Sequence, residues 1–414
     1  MKLKKALVLL AVAMVWPAMR MEAQEPAALS DAELATQRYA AAYDSLLNSY
    51  YMRRYAHHTL HHSTEFSVED FDALPDSVLE ARLRALHTVV PMALNSEVRA
   101  HIRLYLRVMS RRLDLTLMQQ ERYFPLFEEA LDRYGVPDEV KYLSIVESAL
   151  NPQATSRVGA AGLWQFMYNT GKLYDLEVNS VIDERRDPVK SSFAAARHLA
   201  DLYRIFDDWT LAIAAYNCGA GNVNKAIARS GGKRDFWQIY YNLPRETRGY
   251  IPSLIAVIYV MHYYQEHGLR PQQLEAPVRC DTVMVDRDVL LTYVAQLTST
   301  DMEALRGLNP QYRKDFIPGS TRQHALNLPL AKVEPFIKLQ DSIYRLSADS
   351  LLRKPVKVAP HGKPSTSGSG HYYTVRKGDT LSSIARKHGV SVATLKKRNG
   401  LKSDNIRVGQ KLKI

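Results

Sequence analysis

Apolar residues recur at helical spacing through most of the first two-thirds of the chain. Leu79, Leu83 and Leu86, then Ile102, Tyr105, Leu106 and Met109, fall on single helix faces. Residues 24–115 are therefore expected as an N-terminal helical region, with Arg99, Arg103, Arg107 and Arg111 on solvated or neighbour-packed faces. From 116 to 275 the period stays helical and the punctuation sharpens. Gly135 and Pro137 separate a helix Tyr123–Tyr134 from a helix Asp138–Leu150, which Asn151-Pro152 ends. Asp187 and Pro188 read as an N-cap and first helical position opening Val189–Phe206. Asp208 caps Trp209–Cys218, which stops at Gly219 and Gly221.

The period changes near 276. Thr282-Val283-Met284-Val285 and Ala325-Leu326-Asn327-Leu328-Pro329 read as strands around two short helices, the second with a capping box Thr300-x-x-Glu303. Residues 331–345 are helical or coil, and 354–371, rich in Pro, Ser and Gly, read as a flexible linker. The final block, 372–414, reads strand, helix, helix, strand. The 414 residues exceed one ordinary core, so several domains are expected.

The basic start Lys2, Lys4 and Lys5, the apolar run Ala6–Val15 and the small residues at Ala18 and Ala23 predict a signal peptide over 1–23, with Gln24 first after cleavage. No cysteine follows the apolar run, so a lipoprotein is not expected. Cys218 and Cys280, alone in separate predicted domains, make no disulfide framework, and Cys218 reads as a buried small hydrophobe. His57, His58, His61 and His62 share a face, but no cysteine or carboxylate completes a metal site there, so an exposed polar patch is expected and no metal or cofactor.

Net charge is +12. Without residues 1–23 it falls to about +9, and the block 372–414 alone carries about +9, with eleven Lys/Arg against Asp379 and Asp404. The rest of the secreted chain is near neutral. A secreted basic tail points to an anionic wall polymer as partner and away from nucleic acid.

Glu147 is the carboxylate that stands beside a glycine-rich turn, at the end of the apolar segment Tyr142, Leu143, Ile145, Val146, Leu150. Desolvation and the negative end of a helix both favour its protonated form, as a general acid requires. On its own it could equally be a surface glutamate of an amphipathic helix. The following residues, Glu147-Ser148-x-Leu150-Asn151-Pro152-x-Ala154-x-Ser156-x-x-Gly159-Ala160-x-Gly162-Leu163-Trp164-Gln165-Phe166-Met167, resemble the signature of soluble lytic transglycosylases and goose-type lysozymes. Two further family elements follow in order, Ala214-Ala215-Tyr216-Asn217-Cys218-Gly219-Ala220-Gly221 and Glu246-Thr247-Arg248-Gly249-Tyr250-Ile251-Pro252.

The resemblance implies a mainly α, lysozyme-like catalytic domain over 116–275 that cleaves peptidoglycan glycan strands. It implies Glu147 as the single general acid and base. Ser156 and Gln165 would line the subsite of the reacting sugar, and Tyr216 and Tyr250 would flank the cleft, Tyr250 holding the Glu147 carboxyl. Asn217 and Glu246 would orient loops and substrate. Each also has a plain structural reading: Gln165 and Asn217 as turn caps, Glu246 paired with Arg248, the tyrosines as core. Asp183, Glu184 and Asp187 are the carboxylates that could activate water in a lysozyme, though Asp187 is explained as a cap.

The tail, from Tyr373-Thr374-Val375-Arg376-Lys377-Gly378-Asp379-Thr380 through Leu395 and Asn399 to Ile406-x-Val408-Gly409-Gln410, resembles a LysM module, a small α+β (βααβ) domain that binds N-acetylglucosamine-containing glycans. The resemblance implies a sugar groove between Gly378, Asp379 and Thr380 and the opposing Asn405 and Ile406. Asp379 or Thr380 caps the first helix and Ser391 the second. Residues 276–335 look like a divergent copy, with Leu305-x-x-Leu308-Asn309 and Ile317-Pro318-Gly319 in place but no Gly-Asp-Thr loop; fold is expected there, sugar binding is not. Residues 336–371 are a helical segment and linker. As a whole the chain resembles D-type membrane-bound lytic murein transglycosylases without their lipid-attachment cysteine. It is expected to be a periplasmic or envelope-associated monomer acting on GlcNAc/MurNAc strands, with a goose-type muramidase or a non-catalytic wall-binding scaffold as the alternatives.

Overall fold

The computed structural model describes residues 67–110, 113–271, 278–360, 372–376, 378–388, 390–401 and 403–413. The expected signal peptide, residues 24–66 with the His57, His58, His61 and His62 patch, and residues 361–371 of the expected linker lie outside the described residues. The chain divides into two compact units: Met1–Ala154 with Leu163–Gln165 and Ser192–Pro277, and Thr155–Gly162 with Phe166–Ser191 and Val278–Ile414.

The first unit is helical and is built around Tyr250–Tyr263. That helix has no polar face, and every residue from Tyr250 to Met261 is buried. A helix apolar all round must be surrounded on all sides. Ser96–Met109, Leu143–Ser148 and Trp209–Cys218 pack against it. At 14 residues it spans about 21 Å, less than the roughly 30 Å of a bilayer core. No described helix is long and apolar enough to cross a membrane.

Several boundaries differ from expectation for local reasons. The helix placed at Tyr123–Tyr134 begins earlier, as Leu113–Arg133, and runs through Pro125. The segment placed in one helix over 138–150 is a 3₁₀ turn, Asp138–Tyr142, followed by the short α-helix Leu143–Ser148. At the junction the Ser144 hydroxyl donates back to the Lys141 carbonyl at 2.7 Å, a local bond that competes with a regular helix. The helix Trp209–Cys218 forms as expected, with Asp208 accepting from the Leu211 amide at 2.8 Å. Gly221, however, stops nothing. Gly219 (φ 83°) makes the break, and the chain re-enters a helix at Ala220–Arg229, where the Asn222 side chain donates to the orphaned Cys218 carbonyl at 2.8 Å.

In the second unit Cys280–Val285 pairs antiparallel with His324–Pro329, and Asp288–Leu290 with Phe316–Pro318. Helices Leu291–Thr298, Met302–Leu308 and Leu330–Arg353 complete the element set, and Val285, Leu305, Leu326 and Phe336 belong to its core. The expected capping box at Thr300 does not form. Asp301 is the N-cap, accepting from the Ala304 amide at 2.7 Å, while Thr300 is engaged with the Thr298 hydroxyl. The start of the expected linker is also held. Leu330–Arg353 runs well past 345, Val356 packs on the same core, and Ala359 exchanges hydrogen bonds with Ser180.

The tail forms the expected order: strand Tyr372–Thr374, helices Leu381–Lys387 and Val392–Asn399, and strand Lys411–Lys413 antiparallel to the first. One side chain repeats between it and the 279–345 segment. Asn399 donates to the carbonyls of Leu395 and Lys413 and accepts from the Lys413 amide. Asn309 does the same with Leu305 and Asn327. Each asparagine closes its helix end onto the last strand by satisfying three backbone groups at once. Replacing Asn309 or Asn399 with Ala leaves those groups short of partners and is expected to destabilise its module by about 1–3 kcal/mol. Denaturant unfolding of the full chain followed by hydrogen exchange in each module checks this; unchanged protection would refute it.

Candidate active site

Glu147 lies in the last turn of Leu143–Ser148 and is partly accessible. The chain leaves that turn through two successive left-handed residues, Ala149 (φ 52°) and Leu150 (φ 59°), both buried. Such backbone costs energy in non-glycine residues and persists because packing holds it. The Tyr250 hydroxyl, at the start of the central helix, donates to Glu147 Oε1. Burial pushes the Glu147 carboxyl up to about 7, and the Tyr250 hydrogen bond opposes the rise without cancelling it.

Ser148, adjacent to Glu147, is fully buried and donates to the carbonyls of Ser144 and Leu163 at 3.0 and 2.9 Å. It thereby fastens the Leu163–Gln165 strip to the helix that bears Glu147. Trp164 is completely buried, with its indole N–H on Ser192 Oγ at 2.9 Å and its ring edge-on to Phe127 at 5.0 Å. The Tyr216 hydroxyl donates to the Trp164 carbonyl at 2.8 Å, and Asn217 Oδ1 accepts from the Thr247 hydroxyl at 2.9 Å. Gln165, at φ 47°, directs its amide to the Ala154 carbonyl at 3.4 Å. These bonds tie the three sequence motifs together.

Ser148, Trp164 and Thr247 carry no role in the sequence reading. A buried hydroxyl inside an apolar helix was the available signal for Ser148, because such a group must find partners. Burial also pushes His198, whose ring lies 5.2 Å from that of Tyr216, down to about 4, so it is uncharged at neutral pH. Glu246 is exposed in the first turn of Arg245–Arg248. Arg248 donates to the Leu243 and Tyr241 carbonyls.

Ser156 belongs to the second unit. Its hydroxyl accepts from the Ala160 amide at 3.0 Å and closes the turn 156–160. Gly162 (φ 86°) sits so close to the Arg185 carbonyl that a methyl group would overlap it. The three other acids all have structural work in that unit. Asp183 pairs with buried Arg185 at 2.8 Å, Glu184 with Lys190 and Arg322, and Asp187 accepts from the amides of Val189 and Lys190. Cys218 and Cys280 are free thiols, and Cys218 is only half-buried, less sheltered than expected.

In the tail, Thr380 caps the first helix through a reciprocal pair of bonds with Ser383. Asp379 instead braces the loop, accepting from the Tyr373 hydroxyl and the Arg376 amide, both at 2.8 Å. Gly378 takes φ 93°; Asn405 is exposed, and Ile406 packs partly on the module core. Ser391 caps the second helix as expected. Among the described residues, 378–380 and 405–407 form no strand pair. In the divergent copy Asp288–Leu290 and Phe316–Pro318 pair directly through backbone hydrogen bonds.

The transglycosylase SLT domain family matches residues 125–239, the LysM-like domain of lytic transglycosylase MltD matches 279–345, and the LysM domain matches 373–414. Over 324 residues the chain is 33% identical to the membrane-bound lytic murein transglycosylase D of Escherichia coli strain K12, covering 77% of this chain and 69% of that protein. The chain belongs to the lytic murein transglycosylase D family. It is also 30% identical over 168 residues to the soluble lytic murein transglycosylase of the same strain, covering 38% of this chain and 26% of the relative. Among solved structures, the 70 kDa soluble lytic transglycosylase of Escherichia coli aligns over 59% of this chain and 47% of its own, at 19% identity and a TM-score of 0.32.

The raised Glu147 pKa has a stability consequence. A carboxyl whose folded value lies above its unfolded value binds its proton more tightly when folded, so it contributes stability below about 4.5 that is lost as pH rises through about 7. Glu147→Gln is therefore expected to be more stable than the parent at pH 8, by on the order of 3 kcal/mol, and to gain progressively less as pH falls toward 4.5. Urea unfolding of both proteins across this range checks it; a pH-independent difference would contradict the shifted carboxyl.

Proposed function

We propose that this chain is a peptidoglycan lytic transglycosylase that cleaves MurNAc-β-1,4-GlcNAc bonds without water and leaves 1,6-anhydroMurNAc ends. The observation that carries this reading is the Glu147–Tyr250 pair: a partly accessible carboxyl that keeps its proton near neutral pH, oriented by a buried tyrosine. Glu147 gives its proton to the departing O4 of GlcNAc as the C1–O bond breaks. The carbonyl oxygen of the substrate's own N-acetyl group bonds to C1 and spreads the positive charge. The Glu147 carboxylate then takes the proton of the C6 hydroxyl of the same MurNAc, whose oxygen closes on C1. Ring closure expels the acetamido oxygen and leaves Glu147 protonated for the next cycle. An internal nucleophile gains from proximity, worth up to roughly 7–11 kcal/mol in favourable cases. The structural commitments of Asp183, Glu184 and Asp187 support a one-carboxylate course.

Tyr216, Asn217, Gln165 and Glu246 line or brace the glycan site in this reading, and Ser156 holds the turn 156–160 of the second unit. The tail is the wall-binding module, with its groove between 378–380 and 405–406; the divergent copy, with the equivalent segments paired, is structural. A tethered weak sugar binder raises the local concentration of strands at the enzyme. The basic start and apolar run of residues 1–23 support a periplasmic or envelope location in this reading, where its polymer lies.

Purified murein digested with residues 24–414, and with the Glu147→Gln variant, tests the reading by mass spectrometry. Products ending in 1,6-anhydromuramic acid, absent with the variant, are expected. Products one water heavier would instead make the chain a muramidase, and no cleavage by the parent would make it a binding scaffold. Because the acid must be protonated, kcat/KM is expected to fall as pH rises through about 7. Tyr250→Phe removes the bond that holds this value down, so the alkaline limb moves upward, while looser positioning lowers kcat by about 10- to 100-fold. A limb that stays in place would show that Tyr250 does not reach the carboxyl.

A further inference from the structure

Within the first unit a half-open cavity of about 330 Å³ is walled by cations and amides and has no carboxylate in its lining. Asn222, Lys225 and Arg229 lie three and four residues apart on the helix Ala220–Arg229, so they share one face. Lys225 and Arg229 are exposed and have no ion-pair partner among the described residues. Two like charges four residues apart repel each other weakly, so the pair costs the helix stability until an anion joins it. Arg248 forms the opposite wall. Its guanidinium is held by the carbonyls of Leu243 and Tyr241 at 3.2 and 2.9 Å, and it lies over the Tyr241 ring at 5.7 Å. Tyr241 itself is 77% exposed, a large ring left in solvent at the rim. A guanidinium anchored by two carbonyls, in one cavity with two exposed cations, is suited to carboxylates.

The cavity is joined by the chain to the site residues. Arg248 is two residues from Tyr250, which puts their Cα atoms within about 7 Å. Asn222 donates to the carbonyl of Cys218, next to Asn217. We propose that this cavity is a subsite for the acidic peptide carried by the glycan strand, taking its free carboxylates while the sugar lies at Glu147. An extended tetrapeptide spans up to about 14 Å, enough to cover that separation. The inference rests on the transglycosylase reading for its choice of peptide, and the peptide supplies the negative charge that the cavity lacks.

The test uses the full chain and the double variant Lys225→Ala/Arg229→Ala, which changes two exposed helix positions where alanine is well tolerated. Calorimetry with an isolated acidic stem tetrapeptide measures the subsite without turnover. Binding to the parent, weakened about three- to tenfold in the double variant and by added salt, is expected. In kinetics, the parent is expected to show a lower KM for peptide-bearing strands than for strands stripped of peptide. The variant loses that difference and keeps the parent's kcat on stripped strands. The conservative Lys225→Arg/Arg229→Lys variant retains the preference. Peptide binding that the double variant leaves unchanged, an equal loss on stripped strands, or displacement of the peptide by equimolar inorganic phosphate would overturn the proposal. A parent that binds peptide but cleaves no strand would defeat the transglycosylase reading and leave the anionic-peptide subsite standing.

Discussion

A helix with no polar face has no stable place at a surface, and Tyr250–Tyr263 imposes that constraint on the first unit. Its sequence places mostly apolar residues around the whole circumference, so the surrounding helices must present apolar stripes to it. Fully burying one such side chain contributes about 1.5–3 kcal/mol, and the helix buries many. The surrounding elements are consequently fixed in rotation and height, including Leu143–Ser148. Tyr250 is both the first residue of this helix and the partner of Glu147. The carboxyl is therefore positioned by the most constrained element of the unit, and its proton affinity inherits that rigidity.

The same logic explains the polar bonds around the site. Ser148 spends its hydroxyl on a carbonyl fifteen residues further along its own motif, while Tyr216 and Thr247 each spend theirs on a backbone carbonyl or an amide oxygen of another motif. Buried polar groups need partners, so each bond is obligatory once the core closes. Three segments far apart in the chain are held in one register by groups that do no chemistry. This separates the residues that could act on a substrate from those that merely keep it possible for them to do so. Ser148 is of the second kind although it adjoins Glu147.

Much of this was legible in the sequence where a local rule was sufficient. Asp208 before an apolar helix and Gly219 after it marked Trp209–Cys218, because cap chemistry depends on neighbours in sequence. The Asn399 and Asn309 bridges lay at matching positions of the tail and its divergent copy, and their partners became visible only with both strands in place. The reading failed where two local rules competed. Thr300 and Asp301 could each cap a helix, and the carboxylate won. Gly221 signalled a stop, but Asn222 could cover the orphaned carbonyl, so the helix resumed. The left-handed pair Ala149–Leu150 was invisible, since neither residue favours that backbone and only packing enforces it. The segment 354–360 had the composition of a linker, yet Ser180 and the core it meets are distant in sequence.

The two LysM-type modules meet the same backbone hydrogen-bond demand in two different ways. Both keep the asparagine bridge and the order of strands and helices. In the tail, the loop that starts at Gly378 is braced by Asp379, which accepts from the Tyr373 hydroxyl of the first strand and from the Arg376 amide, and by Thr380, which caps the helix that follows. A loop braced by its own side chains needs no strand pairing with the facing segment, and among the described residues 378–380 and 405–407 form none. The divergent copy lacks the Gly-Asp-Thr sequence. Its backbone amides and carbonyls must find partners elsewhere, and Asp288–Leu290 finds them in Phe316–Pro318. Gly319 lets the chain approach the Arg287 backbone at the end of that pair, a contact that any side chain would block. The divergent copy thus satisfies by strand pairing what the tail satisfies with side chains, and the fold survives because its core and its asparagine bridge do not depend on the loop.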